Sequence, residues 1–135
     1  MVEVISVRTG RQGLFEFTDK LEHLVSKSGL KQGICNLLIQ HTSASLTIQE
    51  NADPSARHDL ENWMNRLVPE NDSLYTHTLE GEDDMPAHIK SALTSTTLSI
   101  PIINGRLCLG TWQGVYCWEH RHCSSGRNIA VHIGE

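Results

Sequence analysis

The sequence predicts an α+β domain dominated by antiparallel sheet, and three observations carry that expectation. Segments rich in β-branched residues recur along the chain and fill its last third. The dipeptide Asn104-Gly105, between two apolar runs, is the strongest short signal for a tight hairpin, because both residues take positive φ at low cost. Three short stretches with helical spacing of apolar residues interrupt the strands, all within the first two thirds of the chain.

Taken in order, Val2 to Thr9 reads as a strand and Leu14 to Phe17 as its hairpin neighbour, joined through a turn with Gly10 and Gly13. Asp19 and Glu22 have the spacing of a capping box; Leu21, Leu24 and Val25 give that helix an apolar face, and Gly29 stops it. Gly33 to His41 is extended, with Cys35, Leu37, Ile39 and His41 on one face. Ala44 to Ile48 alternates apolar and polar residues as a half-buried strand does. Asp53-Pro54 opens a second helix, aspartate as N-cap and proline first in the helix, with Ala56, Leu60, Trp63, Met64 and Leu67 as its buried stripe. Tyr75 to Glu80 reads as a short strand. Asp84 then caps a third helix that carries Pro86 in its first turn and Ile89, Ala92 and Leu93 on its apolar side. Leu98 to Ile103, Arg106 to Leu109, Val115 to Glu119 and Asn128 to Ile133 complete the strands.

At 135 residues the chain has the size of one domain. A net charge of -5 and the lack of any Lys/Arg block exclude a nucleic-acid or anionic-membrane surface, since both are recognised first through clustered positive charge. With no apolar run of bilayer length and no signal-peptide pattern, the expectation is a soluble, cytoplasmic protein. Cys35, Cys108, Cys117 and Cys123 are irregularly spaced and form no disulfide framework. Eight histidines exceed what packing requires, and several stand beside carboxylates.

Four segments offer chemistry. His41 precedes Thr42, Ser43 and Ser45; taken alone, a histidine continuing an apolar row is more often a hydrogen-bonded core residue than a ligand. Glu50, Asn51, Asp53, His58 and Asp59 gather at a helix start, where a cap and a wet helix face explain most of them. Asp83 and Asp84 suit a helix N-terminus through the dipole, whereas a cationic histidine does not; His88 there favours a neutral imidazole, the form a metal binds. In the fourth segment, a regular strand places Gln113, Glu119 and Arg121 on one face and Trp112, Trp118 and His120 on the other. Cys117, His120, His122 and Cys123 have zinc-ligand chemistry, but they are compressed into one segment instead of two separated pairs.

His41-Thr42-Ser43-Ala44-Ser45-Leu46, Asn51 with Asp53-Pro54, His58-Asp59, Asp83-Asp84-Met85-Pro86 with His88-Ile89-Lys90, Gly110-Thr111-Trp112-Gln113-Gly114 and Glu119-His120-Arg121 together resemble the signature segments of the YjbQ family. The resemblance implies two mainly antiparallel sheets packed as a β-sandwich with about three short helices, assembled as a homotrimer. It implies a secondary thiamine-phosphate synthase-like transferase that joins a hydroxymethylpyrimidine diphosphate to a thiazole phosphate. It further implies His41, His88 and His120 as a cluster for a divalent metal, Mg²⁺ or Zn²⁺. His41, His88, Glu119 and Arg121 would be catalytic, with Asn51, Asp53, Asp84 and Gln113 supporting the site or touching substrate. Arg121, with Lys90 or Arg127, would hold phosphate oxygens. Two rival readings use the same residues: a metal-dependent phosphate-ester hydrolase with Glu119 as base, and a non-enzymatic trimeric module that binds a metal or metabolite.

Overall fold

A computed structural model describes residues 1–135. The elements are β1 (Val2–Val7), β2 (Gly13–Glu16), α1 (Thr18–Ser28), β3 (Gln32–Ile39), β4 (Ala44–Glu50), α2 (Pro54–Leu67), α3 (Asp84–Leu93), β5 (Thr97–Ile103), β6 (Arg106–Leu107), β7 (Gln113–Glu119) and β8 (Arg127–Gly134). They form a five-stranded sheet in the order β1-β8-β3-β5-β6 and a three-stranded sheet in the order β2-β7-β4, antiparallel throughout.

The alternation read from the sequence builds the core directly. Cys35, Leu37 and Ile39 of β3, Ile129, Val131 and Ile133 of β8, and Ile100 and Ile102 of β5 face Ala44 and Leu46 of β4 and Val115 and Cys117 of β7. Leu21, Leu24 and Val25 of α1 pack into the same core. The opposite face of the small sheet buries Leu14, Tyr116 and Trp118 against Met64 and Val68, with Leu60 of α2 and Ile89 of α3 alongside. The three-stranded sheet is therefore a middle layer. Its outer face carries the helices that frame the site.

Asn104 and Gly105 make the expected tight turn, with φ of 55° and 75°. Gly29 ends α1 in the left-handed conformation, and Asp53 caps α2, its carboxylate accepting from the Ser55 amide at 2.9 Å.

Five local expectations need correction. β1 and β2 are not a hairpin: β1 pairs with β8 and β2 with β7, so the Gly10 to Gly13 segment carries the chain from one sheet to the other. No capping box starts α1, because its N-cap is Phe17 and Glu22 instead accepts from the Leu107 amide and pairs with Arg106. Along α2, Met64 is buried but Trp63 and Leu67 are half exposed, since only one edge of the helix meets the sheet. Tyr75 to Glu80 forms no strand and crosses as a loop to α3. The N-cap of α3 is Asp83, and Asp84 is its first helical residue; neither carboxylate caps the helix, because both are drawn to Arg121.

Gly33 sits where β3 and β8 approach closely. A Cβ built there would lie 2.4 Å from the carbonyl oxygen of Gly134, a backbone atom that moves only if β8 moves. Gly33→Ala is expected to cost about 1–3 kcal/mol, read as a lower urea midpoint.

Candidate functional site

The helix start at α3, the loop before it and the turn after β7 bring together His77, Asp84, His88 and Arg121. Asp84 and His88 are four residues apart, so they share one face of α3. His77 reaches them from the loop. Its Nε2 lies 2.6 Å from Asp84 Oδ2, and His88 Nε2 lies 3.2 Å from the same oxygen. The two imidazoles meet edge to face with centroids 5.3 Å apart. One ligand atom from each of the three residues falls within 4.8 Å of the others, a spacing that suits a divalent metal ion.

Arg121 supports the cluster from behind. Its Nη1 is 3.0 Å from Asp84 Oδ1, its Nη2 donates to Asp83 Oδ1 at 3.1 Å, and the same nitrogen donates to the Glu80 carbonyl at 2.7 Å. Burial pushes the Asp84 carboxyl up, but the His77 hydrogen bond and the charges of Arg121 and His88 outweigh it and hold Asp84 below the usual carboxylate range. Asp84 is thus buried, ionised and fixed in orientation, while the histidine side chains remain 44% and 34% exposed. Such a carboxylate beside two accessible imidazoles can hold a cation or relay a proton.

The chain belongs to the YjbQ family. It matches the family described as UPF0047 protein YjbQ-like over residues 3–135. A UPF0047 protein of Synechocystis is 51% identical over 97% of this chain and 89% of its own. UPF0047 protein YjbQ of Escherichia coli O157:H7 is 44% identical over 98% and 97%. Among solved structures, an uncharacterised YjbQ/UPF0047 protein from Clostridium acetobutylicum superposes with a TM-score of 0.89 at 33% identity, covering 98% of this chain and 99% of that one. A protein of unknown function from Sulfolobus solfataricus, described as YbjQ-like, gives 0.90 at 29% identity, covering 100% and 97%. The α+β architecture with two antiparallel sheets and three helices is the family's.

Within this YjbQ fold, the residues singled out from the sequence fall into separate groups. His88, Asp84 and Arg121 stand together as described. His77, which sequence reading assigned to a strand, completes their cluster; its one sequence signal is a histidine seven residues before an Asp/His pair spaced four apart.

His41 and Glu119 meet instead at Arg127. Glu119 is fully buried, accepting from Arg127 Nε at 2.7 Å and from Thr9 at 2.7 Å, while its other oxygen pairs with Arg127 Nη2. His41 Nε2 accepts from the Asn128 amide at 2.8 Å, so Nδ1 carries the hydrogen. Arg127 Nη1, 3.2 Å from Nδ1, is then a close approach of two donors. Burial first, then the charge of Arg127, hold His41 below its ordinary value, and its lone pair is spent on a backbone amide.

His120 is buried behind the small sheet, its Nε2 2.8 Å from Ser45 Oγ. It is not beside His77 and His88, and Cys117 points into the main core on the opposite face of β7. Burial, with the nearby Lys90 charge, takes the His120 pKa down to about 3. Because the folded value lies below the unfolded one, the unfolded chain binds the extra proton, and this contribution to stability is lost as pH falls from about 6.5 toward 3. His120 is expected to stay neutral at pH 5, which its imidazole carbon NMR shifts will show.

Asn51, Asp53 and Gln113 lie at the far end of the small sheet. Gln113 and Glu119 are the two ends of β7, about 20 Å apart at roughly 3.4 Å per residue. Asn51 donates to Glu16, Asp53 caps α2, and Gln113 Oε1 accepts from the Gly110 amide. These are local structural bonds, made away from the cluster.

Proposed function

We propose that the chain is an enzyme acting on a small phosphorylated substrate at the His77–Asp84–His88 cluster, as a secondary thiamine-phosphate synthase-like transferase. The observation that supports this reading is the convergence of two imidazole nitrogens and one ionised carboxylate oxygen, backed by Arg121. In the reaction, the thiazole ring nitrogen bonds to the pyrimidine methylene carbon while the carbon–oxygen bond to diphosphate breaks, and diphosphate leaves with the electron pair. Asp84 anchors the cluster, and both histidine side chains remain partly open to solvent. Arg121 commits three N–H groups in hydrogen bonds to Asp83 and the Glu80 carbonyl, and its Nη1, paired with Asp84 at 3.0 Å, keeps N–H donors for a substrate oxygen. A divalent cation held by His77, Asp84 and His88 would offset charge on the departing diphosphate, and a two-nitrogen, one-oxygen set suits zinc-like ions better than Mg²⁺.

The test is diphosphate release from the pyrimidine diphosphate with and without thiazole phosphate. Strict dependence on the second substrate is expected. Equal release without it supports hydrolysis, a reading favoured by the open position of His77; Glu119, sealed against Arg127, would not be its base.

The reading includes a cytoplasmic homotrimer. It is supported by four free cysteines, of which Cys108 and Cys123 are exposed, as a reducing compartment allows. It is also supported by the outer face of the five-stranded sheet, where Val2, Val4, Ile34 and Leu38 stand exposed. Leu38→Glu is expected to convert trimer to monomer in sedimentation velocity without loss of β-sheet circular dichroism.

A further inference from the structure

A second polar pocket lies between α2, the start of β2 and the end of β7. Its lining includes Gln12, Glu61, Asn62, Asn65, Lys90 and His120, with Trp118 as a wall. Lys90 projects from α3 but is two residues from His88, so it leaves the helix on nearly the opposite side from the metal-type cluster.

Lys90 is only 2% exposed, yet no carboxylate lies within ion-pair distance of it. Its ammonium has three donors, and the one side-chain bond it makes is to Asn65 Oδ1 at 2.7 Å. A relay continues from there. Asn65 Nδ2 donates to Gln12 Oε1 at 3.1 Å, and Gln12 Nε2 donates to the His120 carbonyl at 3.2 Å. The relay fixes both amides with their oxygens already used. What it leaves uncommitted is donors: two on Lys90 and one each on Asn65 and Gln12.

His120 is 1% exposed, and its Nδ1 has no hydrogen-bond partner, the one buried side-chain polar atom in the protein so placed. Two independent features thus point to something absent from the protein itself: a buried ammonium with two uncommitted N–H donors and no carboxylate in ion-pair contact, and a buried imidazole nitrogen without a partner. Both are costly unless a bound group completes them. The cavity measures about 80 Å³, room for about two or three waters at roughly 30 Å³ each, or for one small oxyanion.

Glu61 sets the charge of that occupant. Its Oε1 accepts from the Leu14 amide at 2.8 Å, which leaves Oε2 as a fixed negative edge. With Glu61 facing the same space as Lys90, each further negative charge on an occupant adds repulsion, so a singly charged group is accommodated better than a doubly charged phosphate. We propose that this pocket binds a small monoanionic carboxylate, its oxygens taking the free donors of Lys90, Asn65 and Gln12. The site is separate from the cluster of His77, Asp84 and His88, and it stands whether or not that cluster is a transferase centre.

The test titrates the full-length protein with formate, acetate, inorganic phosphate and chloride at constant ionic strength. The readout is the side-chain amide signals of Gln12 and Asn65 in ¹H–¹⁵N spectra. Formate or acetate is expected to move both signals to saturation. Lys90→Met, which keeps the aliphatic stem, is expected to weaken the response at least about tenfold. Gln12→Leu, at the partly exposed edge, provides a second variant that leaves the lysine side chain itself intact; it is expected to weaken the response of Asn65 severalfold. Absence of saturable shifts, equal shifts with chloride, saturation by phosphate alone, or unchanged affinity in both variants would each overturn the assignment.

Discussion

Asp84→Asn is expected to lower kcat for the proposed synthase reaction by about 100-fold or more, the scale of removing one preorganised electrostatic group from a reacting site. The substitution keeps the shape of the side chain and an oxygen for Arg121, but removes the negative charge that both imidazoles share. Arg121 retains its bonds to Asp83 and Glu80, so the helix start stays in place. Thermal melting should accordingly change little while turnover collapses. Parallel losses of stability and activity would mark Asp84 as a folding residue.

The second large effect is on stability. Glu119→Ala strands the Arg127 guanidinium inside the protein without its partner, and breaking a buried pair in this way costs about 3–5 kcal/mol. That is a large fraction of the 5–15 kcal/mol, roughly, that holds an ordinary domain together. Replacing both residues, as in Glu119→Leu with Arg127→Met, removes the stranded charge and is expected to restore much of the loss. The pair also gives stability a pH dependence. Burial raises the Glu119 carboxyl, but the bonds from Arg127 and Thr9 more than reverse this and leave it below its ordinary value. The folded form therefore stays ionised after the unfolded chain has begun to take up protons. Its stabilising contribution is complete above the unfolded glutamate value of about 4.3 and is lost as pH falls through the lower folded value. Urea midpoints followed into acid should fall less steeply in the double variant than in the parent.

Much of the fold was legible in the sequence because its sheets are built from simple alternation. Cys35, Leu37 and Ile39 fall on one face, and Asn104-Gly105 turns where it should. Pairing partners were not legible: β1 and β2 are adjacent in sequence yet belong to different sheets, and nothing local distinguishes a hairpin from a crossing. The helix starts misled for a related reason. Asp19, Glu22, Asp83 and Asp84 have capping chemistry, but Glu22, Asp83 and Asp84 have partners supplied by distant segments, and a tertiary arginine or amide outcompetes the local bond.

The candidate site was half legible. Asp84, His88 and Arg121 were marked by residue type and position. His77 was hidden because its loop has a β-like composition, and its role depends on a fold that carries it back to α3. His41, His88 and His120 look equivalent in sequence. In the structure one binds a backbone amide, one joins the carboxylate cluster and one is buried behind Ser45.

Calorimetric titration of Zn²⁺ into the parent protein, His77→Ala and His41→Ala separates these environments most directly. One ion per chain should bind to the parent and to His41→Ala, with binding lost or greatly weakened in His77→Ala. Binding retained by His77→Ala and lost from His41→Ala would contradict the assignment of the centre to His77, Asp84 and His88.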